Sequence, residues 1–148
     1  MAFGNKFTSK KDGMSRAKKT HCCTACLYSQ SATYKICPKC GAKGSGVNSM
    51  RVYFPSHVEH IRGVKLIMAQ SAGQIKELVF HPRYDLVVNN QHLCQYEADA
   101  AYTMIETGQR IVEDTKPEGD FIDKLAEFKI ALFDILYAPM GLKVKLVR

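Results

Sequence analysis

The sequence is poor in acidic residues and in long apolar runs. It carries 14 Asp and Glu against 21 Lys and Arg, a formal net charge of +7, with an isoelectric point near 9.1. The shortage of acid is sharpest at the start, where Lys6, Lys10, Lys11, Arg16, Lys18 and Lys19 face a single acid, Asp12. Such an excess favours a polyanionic partner, because basic side chains release counterions condensed on phosphate. The basic arm over 1–20 suits either a strand of nucleic acid or a solubilising role. No apolar stretch approaches the roughly 18 residues that span a bilayer, so no membrane partner is expected. The opening MAFGNKFTSKKDG has no apolar h-region, so a cytoplasmic rather than a secreted setting is expected. Internal repeats are also absent. Core-forming residues are plentiful: 46% of the 148 residues are hydrophobic, enough for one compact domain with a small appendage.

Six cysteines in a cytoplasmic chain point to metal rather than to disulfides. Four are paired as Cys23-x-x-Cys26 and Cys37-x-x-Cys40-Gly41, with ten residues between the pairs. Each C-x-x-C turn aims two sulfurs at one point, and two such turns close a tetrahedral four-thiolate site suited to Zn²⁺. A site with four protein ligands has no open position, so this zinc is expected to be structural. His21 and Cys22 adjoin the first knuckle and are alternative ligands, although the regular spacing favours Cys23. The module resembles a zinc ribbon. Lys35 and Lys39, with Tyr28 and Tyr34 between the knuckles, suit a nucleic-acid surface or an ordinary exposed hairpin. Cys94 reads as a small core residue.

Three parts are expected: a flexible basic arm at 1–20, a zinc ribbon and linker at 21–44 ending in GAKGSG, and a main domain at 49–148. In the main domain MRVYF reads as a short strand or an extended lead-in. Ser56 and Glu59 have capping-box spacing and open a helix running to about Ala72. Strands are expected over Ile75–Phe80, Tyr84–Val88, Leu93–Thr103 and Arg110–Lys116, with turns at Asn89-Asn90 and Thr107-Gly108, as an antiparallel meander. Phe121–Tyr137 reads as an amphipathic helix with Ile122, Leu125, Phe128, Leu132, Ile135 and Leu136 as its apolar face. Leu142–Val147 alternates as a final strand. The order gives an α+β (α/β-like) sheet with helices packed on it.

The segment IVEDTKP carries two acids and a lysine. Strand alternation sends Asp114 and Lys116 to one side with Val112, and Glu113 and Thr115 to the other with Ile111. Asp114-x-Lys116 is therefore the pair able to converge, unless a bulge brings Glu113 there instead. Asp99 lies among Ala98, Ala100 and Ala101 on the preceding strand. A carboxylate in such surroundings is costly unless paired or metal-bound. In a hairpin, Asp99 would lie beside Asp114, and a divalent cation, by default Mg²⁺, would relieve their repulsion. Lys116 would neutralise charge on a phosphate or position the attacking water. His57, His60 and His81 read as surface or packing residues, and Lys129 as part of a solvated helix face or a contact to a phosphate backbone.

An acid on one strand followed by (D/E)-x-K on the next resembles the PD-(D/E)xK nuclease superfamily. Residues 50–148 are similar to a family of small phage-encoded proteins in it, related to Holliday-junction resolvases. The similarity runs through FPSHVEHIRGVKL, IKELVFHPRYDL, YEADAAY, IVEDTKP and FKIALFDILYAPMGLKVKLV. The resemblance implies a restriction-endonuclease-like core with a central mixed sheet flanked by helices. It also implies that Glu59, on the first helix, joins Asp99 and Asp114 as ligands of a catalytic Mg²⁺, with Lys116 completing the site. Glu59 has the competing role of capping its own helix. The activity implied is metal-dependent hydrolysis of DNA phosphodiesters, at branched or junction DNA, in the host cytoplasm, by a possible homodimer. The alternative is a non-catalytic zinc-ribbon protein that binds nucleic acid or a partner and uses a nuclease-like scaffold.

Overall fold

A computed structural model describes residues 19–43, 50–116 and 122–148. Apart from Lys19 and Thr20, the basic arm lies outside these residues, as does most of the linker. The described elements run β1 (Thr20–Cys23), β2 (Ser29–Gln30), β3 (Arg51–Phe54), α1 (His57–Ser71), β4 (Ile75–Phe80), β5 (Arg83–Val88), β6 (Gln91–Glu97), β7 (Ala100–Met104), β8 (Arg110–Thr115), α2 (Lys124–Tyr137), a 3₁₀ turn (Ala138–Met140) and β9 (Val144–Val147). The chain is α+β, with antiparallel and mixed sheets. No helix among the described residues is long and apolar enough to cross a membrane.

The central sheet has the order β4-β7-β8-β9. Its first three strands pair antiparallel, whereas β9 returns after α2 and lies parallel to β8. Alternation along β7 and β8 divides the core into two. Ala100, Tyr102 and Ile111 pack towards Leu66 of α1. Ala101 and Val112 pack towards Phe133 of α2 and towards Leu86 and Tyr96 of the β5–β6 ribbon. The sheet is therefore the middle layer, with α1 on one face and α2 plus the ribbon on the other.

One expected strand is two. Leu93–Thr103 is divided into β6 and β7 at Ala98-Asp99, and the halves belong to different sheets. The antiparallel register nevertheless runs through the break. Arg83 faces Glu97, Phe80 faces Ala100, and the corner between them keeps the His81 N–H to Asp99 O bond (3.0 Å) and the Ala98 N–H to Pro82 O bond (3.1 Å). One long hairpin is thus bent where His81 adopts φ 52° just before Pro82. The ladder has to bend there because proline has no N–H to donate and His81 sits in a left-handed conformation. The bend leaves Asp99 at the end of the central sheet. The hairpin closes at Asn89-Asn90, both at positive φ (49° and 63°), as a two-residue turn with the required twist demands.

The amphipathic reading of α2 is also corrected. Its buried residue is Phe133, with Ile130, Leu132, Leu136 and Tyr137 packed beside it. Leu125, Phe128 and Ile135, expected to face the core, are exposed.

The cysteine-bearing segment is joined to the rest by sheet and core. β1 pairs with β2 and also with β3, which leads directly into α1. Cys22, Phe54 and Ile67 form one buried cluster beneath this sheet. Gly63 of α1 permits it, since a Cβ there would come 2.2 Å from the Phe54 ring.

Candidate functional site

The two cysteine knuckles have the same local build. Leu27 follows Cys26 at φ 60°, and Gly41 follows Cys40 at φ 73°. The Leu27 N–H donates to Cys23 O (2.8 Å), and the Gly41 N–H donates to Cys37 O (2.9 Å). The four sulfurs of Cys23, Cys26, Cys37 and Cys40 all lie within 4.8 Å of one another. The pairs Cys23–Cys40 and Cys26–Cys37 are 3.7 and 3.6 Å apart. A tetrahedron with Zn–S bonds of about 2.3 Å has edges of about 3.8 Å, so the cluster has the dimensions and donor set of a four-thiolate zinc site. Burial pushes the Cys37 thiol up, but the Cys40 and Lys39 backbone N–H groups, with the neighbouring thiols, outweigh it and lower it to about 7. Cys22 is outside the cluster. It is fully buried against Phe54 and Ile67, and burial raises its thiol. The His21 ring lies tilted beside Tyr53, and its Nδ1 is buried without a partner.

β8 sends its acids to opposite layers. Glu113 is fully buried on the α1 face. Arg62 grips it with Nε at 2.5 Å and a terminal nitrogen at 2.7 Å, and the Tyr102 hydroxyl donates to it at 2.8 Å. Both its oxygens are occupied. The guanidinium of Arg62 is raised by these bonds to Glu113, and Tyr102 is pushed up to about 12 by burial and the same carboxylate. Asp114, 5% exposed, is on the other face. Lys116 Nζ lies 2.8 Å from one of its oxygens, and the Tyr96 hydroxyl donates to the other at 3.1 Å. Burial, then Asp114, holds the Tyr96 hydroxyl well above its ordinary range.

Asp99 is opposite Asp114. Its backbone N–H donates to Glu113 O at 3.0 Å, continuing the β7–β8 register, and its carboxylate accepts from the Thr115 N–H at 2.5 Å. Burial raises the Asp99 carboxyl to about 7. The Thr115 N–H opposes that rise, and the charges of Asp114 and Glu59 add to it. Asp99, Asp114 and Lys116 line one cleft of about 400 Å³ with Arg83, Tyr96 and Lys129. Lys129 reaches it from α2, donating to Gln95 O at 3.0 Å. Glu59 opens onto a small adjoining cavity that Asp99, Thr115 and Glu113 also line. One Glu59 oxygen pairs with Ser56, its cap partner, at 2.9 Å. The other is buried with no partner, and burial raises this carboxyl. The capping contact expected of Glu59 is thus made by one oxygen only.

The donor set suits a hard divalent cation: three carboxylates, one orphaned oxygen and a single neutralising lysine. The carboxylates do not, however, close as the cysteines do. Among the described residues, the four thiols are the group of three or more whose ligand atoms lie within 4.8 Å of one another. A larger groove of about 610 Å³ between β3, α1 and β4 has no acid in its lining.

Tyr96, Arg62 and Tyr102 were not singled out by sequence reasoning. Arg62 stands three residues after Glu59 on α1, and a buried Glu113 requires a cation, which is the signal that could have found it. Comparison with family models, curated proteins and solved structures gives no match to this chain.

Proposed function

We propose that the chain is a metal-dependent DNA endonuclease whose site comprises Asp99, Asp114 and Lys116, with Glu59 beside them. The observation that carries the reading is that Asp99, at the bend before β7, lines one cleft with Asp114 and Lys116 at the end of β8, a cleft also reached by Lys129 and Arg83. Buried acids side by side are destabilising without a cation, and among the described residues this pair has one lysine and no second positive side chain in hydrogen-bond contact.

In this reading Lys129 and Arg83 bind the phosphate backbone along the cleft, and Lys116 neutralises charge developing on the reacting phosphoryl group. Tyr96 holds one oxygen of Asp114, and the Thr115 N–H holds one oxygen of Asp99, so both carboxylates keep fixed directions. Glu59, Asp99 and Asp114 would hold Mg²⁺. When bound, the cation supplies Lewis-acid polarisation of the phosphoryl oxygens and a lowered pKa for water. The arm at 1–20 and the cysteine module would extend the contact with DNA, branched DNA being the substrate class the resemblance suggests.

A second reading has its own support. Both Asp114 oxygens are engaged by protein groups, and the three carboxylates remain apart. That is the arrangement of a structural ion pair in a non-catalytic, nucleic-acid-binding protein. Incubation with linear, flapped and four-way-junction DNA, in Mg²⁺ or EDTA, beside Asp114→Ala separates the two. Mg²⁺-dependent cleavage lost in the variant supports the endonuclease. Binding without cleavage of any substrate leaves only the second reading.

A further inference from the structure

Glu59 and Arg62 stand three residues apart on α1 and so share one face of the helix. Both line the small cavity that Asp99, Glu113 and Thr115 also line. Their side chains do different things there. Glu59 presents a buried oxygen with no partner. Arg62 is engaged with Glu113 of β8, Nε on one carboxylate oxygen at 2.5 Å and a terminal nitrogen on the other at 2.7 Å. Glu113 in turn holds Asp99, because its carbonyl accepts the Asp99 N–H at 3.0 Å. We propose that Arg62 is a positioning residue: by gripping Glu113 it sets where Glu59 stands relative to Asp99. What that spacing serves rests on the endonuclease reading, in which the two carboxylates share a cation.

The grip supplies direction. Apolar packing brings α1 onto the sheet, with Leu66 against Ala100, Tyr102 and Ile111. Such contacts are non-directional, so they set the distance between layers and leave a helix free to slide or turn a little. A two-pronged guanidinium–carboxylate contact is planar and restrains both movements. The Tyr102 hydroxyl, donating to Glu113 at 2.8 Å, restrains the carboxylate further. Ser56 does the local part. Its hydroxyl donates to the other Glu59 oxygen at 2.9 Å and accepts the Glu59 N–H at 3.2 Å. Ser56 therefore orients the Glu59 side chain on α1, and Arg62 orients α1 on β8.

A purely stabilising role is the alternative. Glu113 is fully buried, and a buried ion pair stabilises a fold no better than well-packed apolar side chains of similar volume. Its placement favours positioning. Both acids are referred to one residue, Glu59 through Arg62 and Asp99 through the Glu113 carbonyl. Two residues further along β8, the Thr115 N–H holds the Asp99 carboxylate itself.

Replacing the network by apolar side chains, Arg62→Met with Tyr102→Phe and Glu113→Leu, tests the proposal without leaving a buried charge unpaired. The readout is the titration of the Asp99 carboxyl, followed by carbon-13 NMR in the full zinc-loaded chain with and without Glu59→Gln. Asp99 is faced by Glu59 from α1, by Asp114 and Lys116 from β8, and by Arg83, Tyr96 and Lys129 across the cleft. Of these, Glu59 is the one carried on the helix that Arg62 holds. With the network intact, Glu59→Gln removes a neighbouring negative charge and is expected to lower the Asp99 midpoint from about 7 by about half a pH unit or more. In the folded triple variant the same substitution is expected to move it much less. Arg62→Lys keeps the charge without the fork; it replaces the triple variant if that does not fold, and a smaller shift is expected there too. The proposal is overturned by a Glu59→Gln shift of equal size with and without the network. A wild type in which Glu59→Gln leaves Asp99 unmoved overturns it as well. Failure of the endonuclease reading looks different: no DNA is cleaved, yet the Glu59–Asp99 coupling and its dependence on Arg62 persist, which supports the positioning role.

Discussion

Glu113 and Asp114 are adjacent and chemically alike, yet β8 gives them different work. Glu113 is closed in by Arg62 and Tyr102, whereas Asp114 meets Lys116, Tyr96 and the cleft. Alternation predicts that division from sequence, and the structure places the two acids accordingly. Asp99 has the clearest solution signature. Its carboxyl is raised to about 7 from an ordinary 3.8, so the folded chain holds a proton that the unfolded chain releases near pH 4. Stability is therefore expected to fall as pH rises from about 4 to about 7, by up to about 4 kcal/mol, and to level off outside that window. Urea unfolding at pH 5 and pH 8 checks this. Asp99→Asn should flatten the dependence, and Mg²⁺ should lessen the loss at pH 8. Cysteine roles separate at the same scale. Cys23→Ser is expected to abolish stoichiometric zinc binding. Cys22→Ser should keep one zinc per chain while lowering stability by about 1–3 kcal/mol, because it buries a hydroxyl in an apolar cluster. Zinc content by mass spectrometry and denaturant melts decide both.

Elements were legible where local chemistry fixes them. Ser56 and Glu59 start α1, and the Asn89-Asn90 turn and the C-x-x-C knuckles fall where their spacing requires. Two readings failed for one reason: tertiary context overrode a local pattern. Leu93–Thr103 is a continuous strand by composition, but the bend at His81-Pro82, on the partner strand, cuts it at Asp99. α2 carries apolar residues on more than one side, so periodicity alone could not say which side meets the sheet: of the residues chosen, Leu132 and Leu136 pack on the core, whereas Leu125, Phe128 and Ile135 are exposed. Gly63 is a third feature that no local rule reveals. Glycine inside a helix ordinarily costs about 1 kcal/mol relative to alanine. Here Gly63→Ala is expected to destabilise by about 1–3 kcal/mol, because the Phe54 ring it would strike is itself buried against Phe80 and cannot move aside. A lowered urea midpoint with unchanged slope would show it, and a raised midpoint would contradict the packing described.

Across the whole molecule, the cysteine module and the acidic cleft are connected through β3 and α1. β1 pairs with β3, and β3 leads through Ser56 to Glu59, whose orphaned oxygen lies beside Asp99. Removing zinc with a chelator is therefore expected to lower the melting temperature of the whole chain, with loss of amide protection along β3 and the first turn of α1. Hydrogen exchange checks this, and protection lost only within 20–43 would mean that the parts are uncoupled. The central proposal is that Asp114 belongs to a metal-dependent phosphodiester site, whereas Glu113 is held within the scaffold by Arg62 and Tyr102. Single-turnover cleavage of a four-way junction in Mg²⁺ by Asp114→Asn and Glu113→Gln, each corrected for its folded fraction, tests that most directly. The account predicts a loss of about 10³-fold or more for Asp114→Asn and a change within about tenfold for Glu113→Gln. Equal rates for wild type and Asp114→Asn, or a complete loss confined to Glu113→Gln, would contradict it.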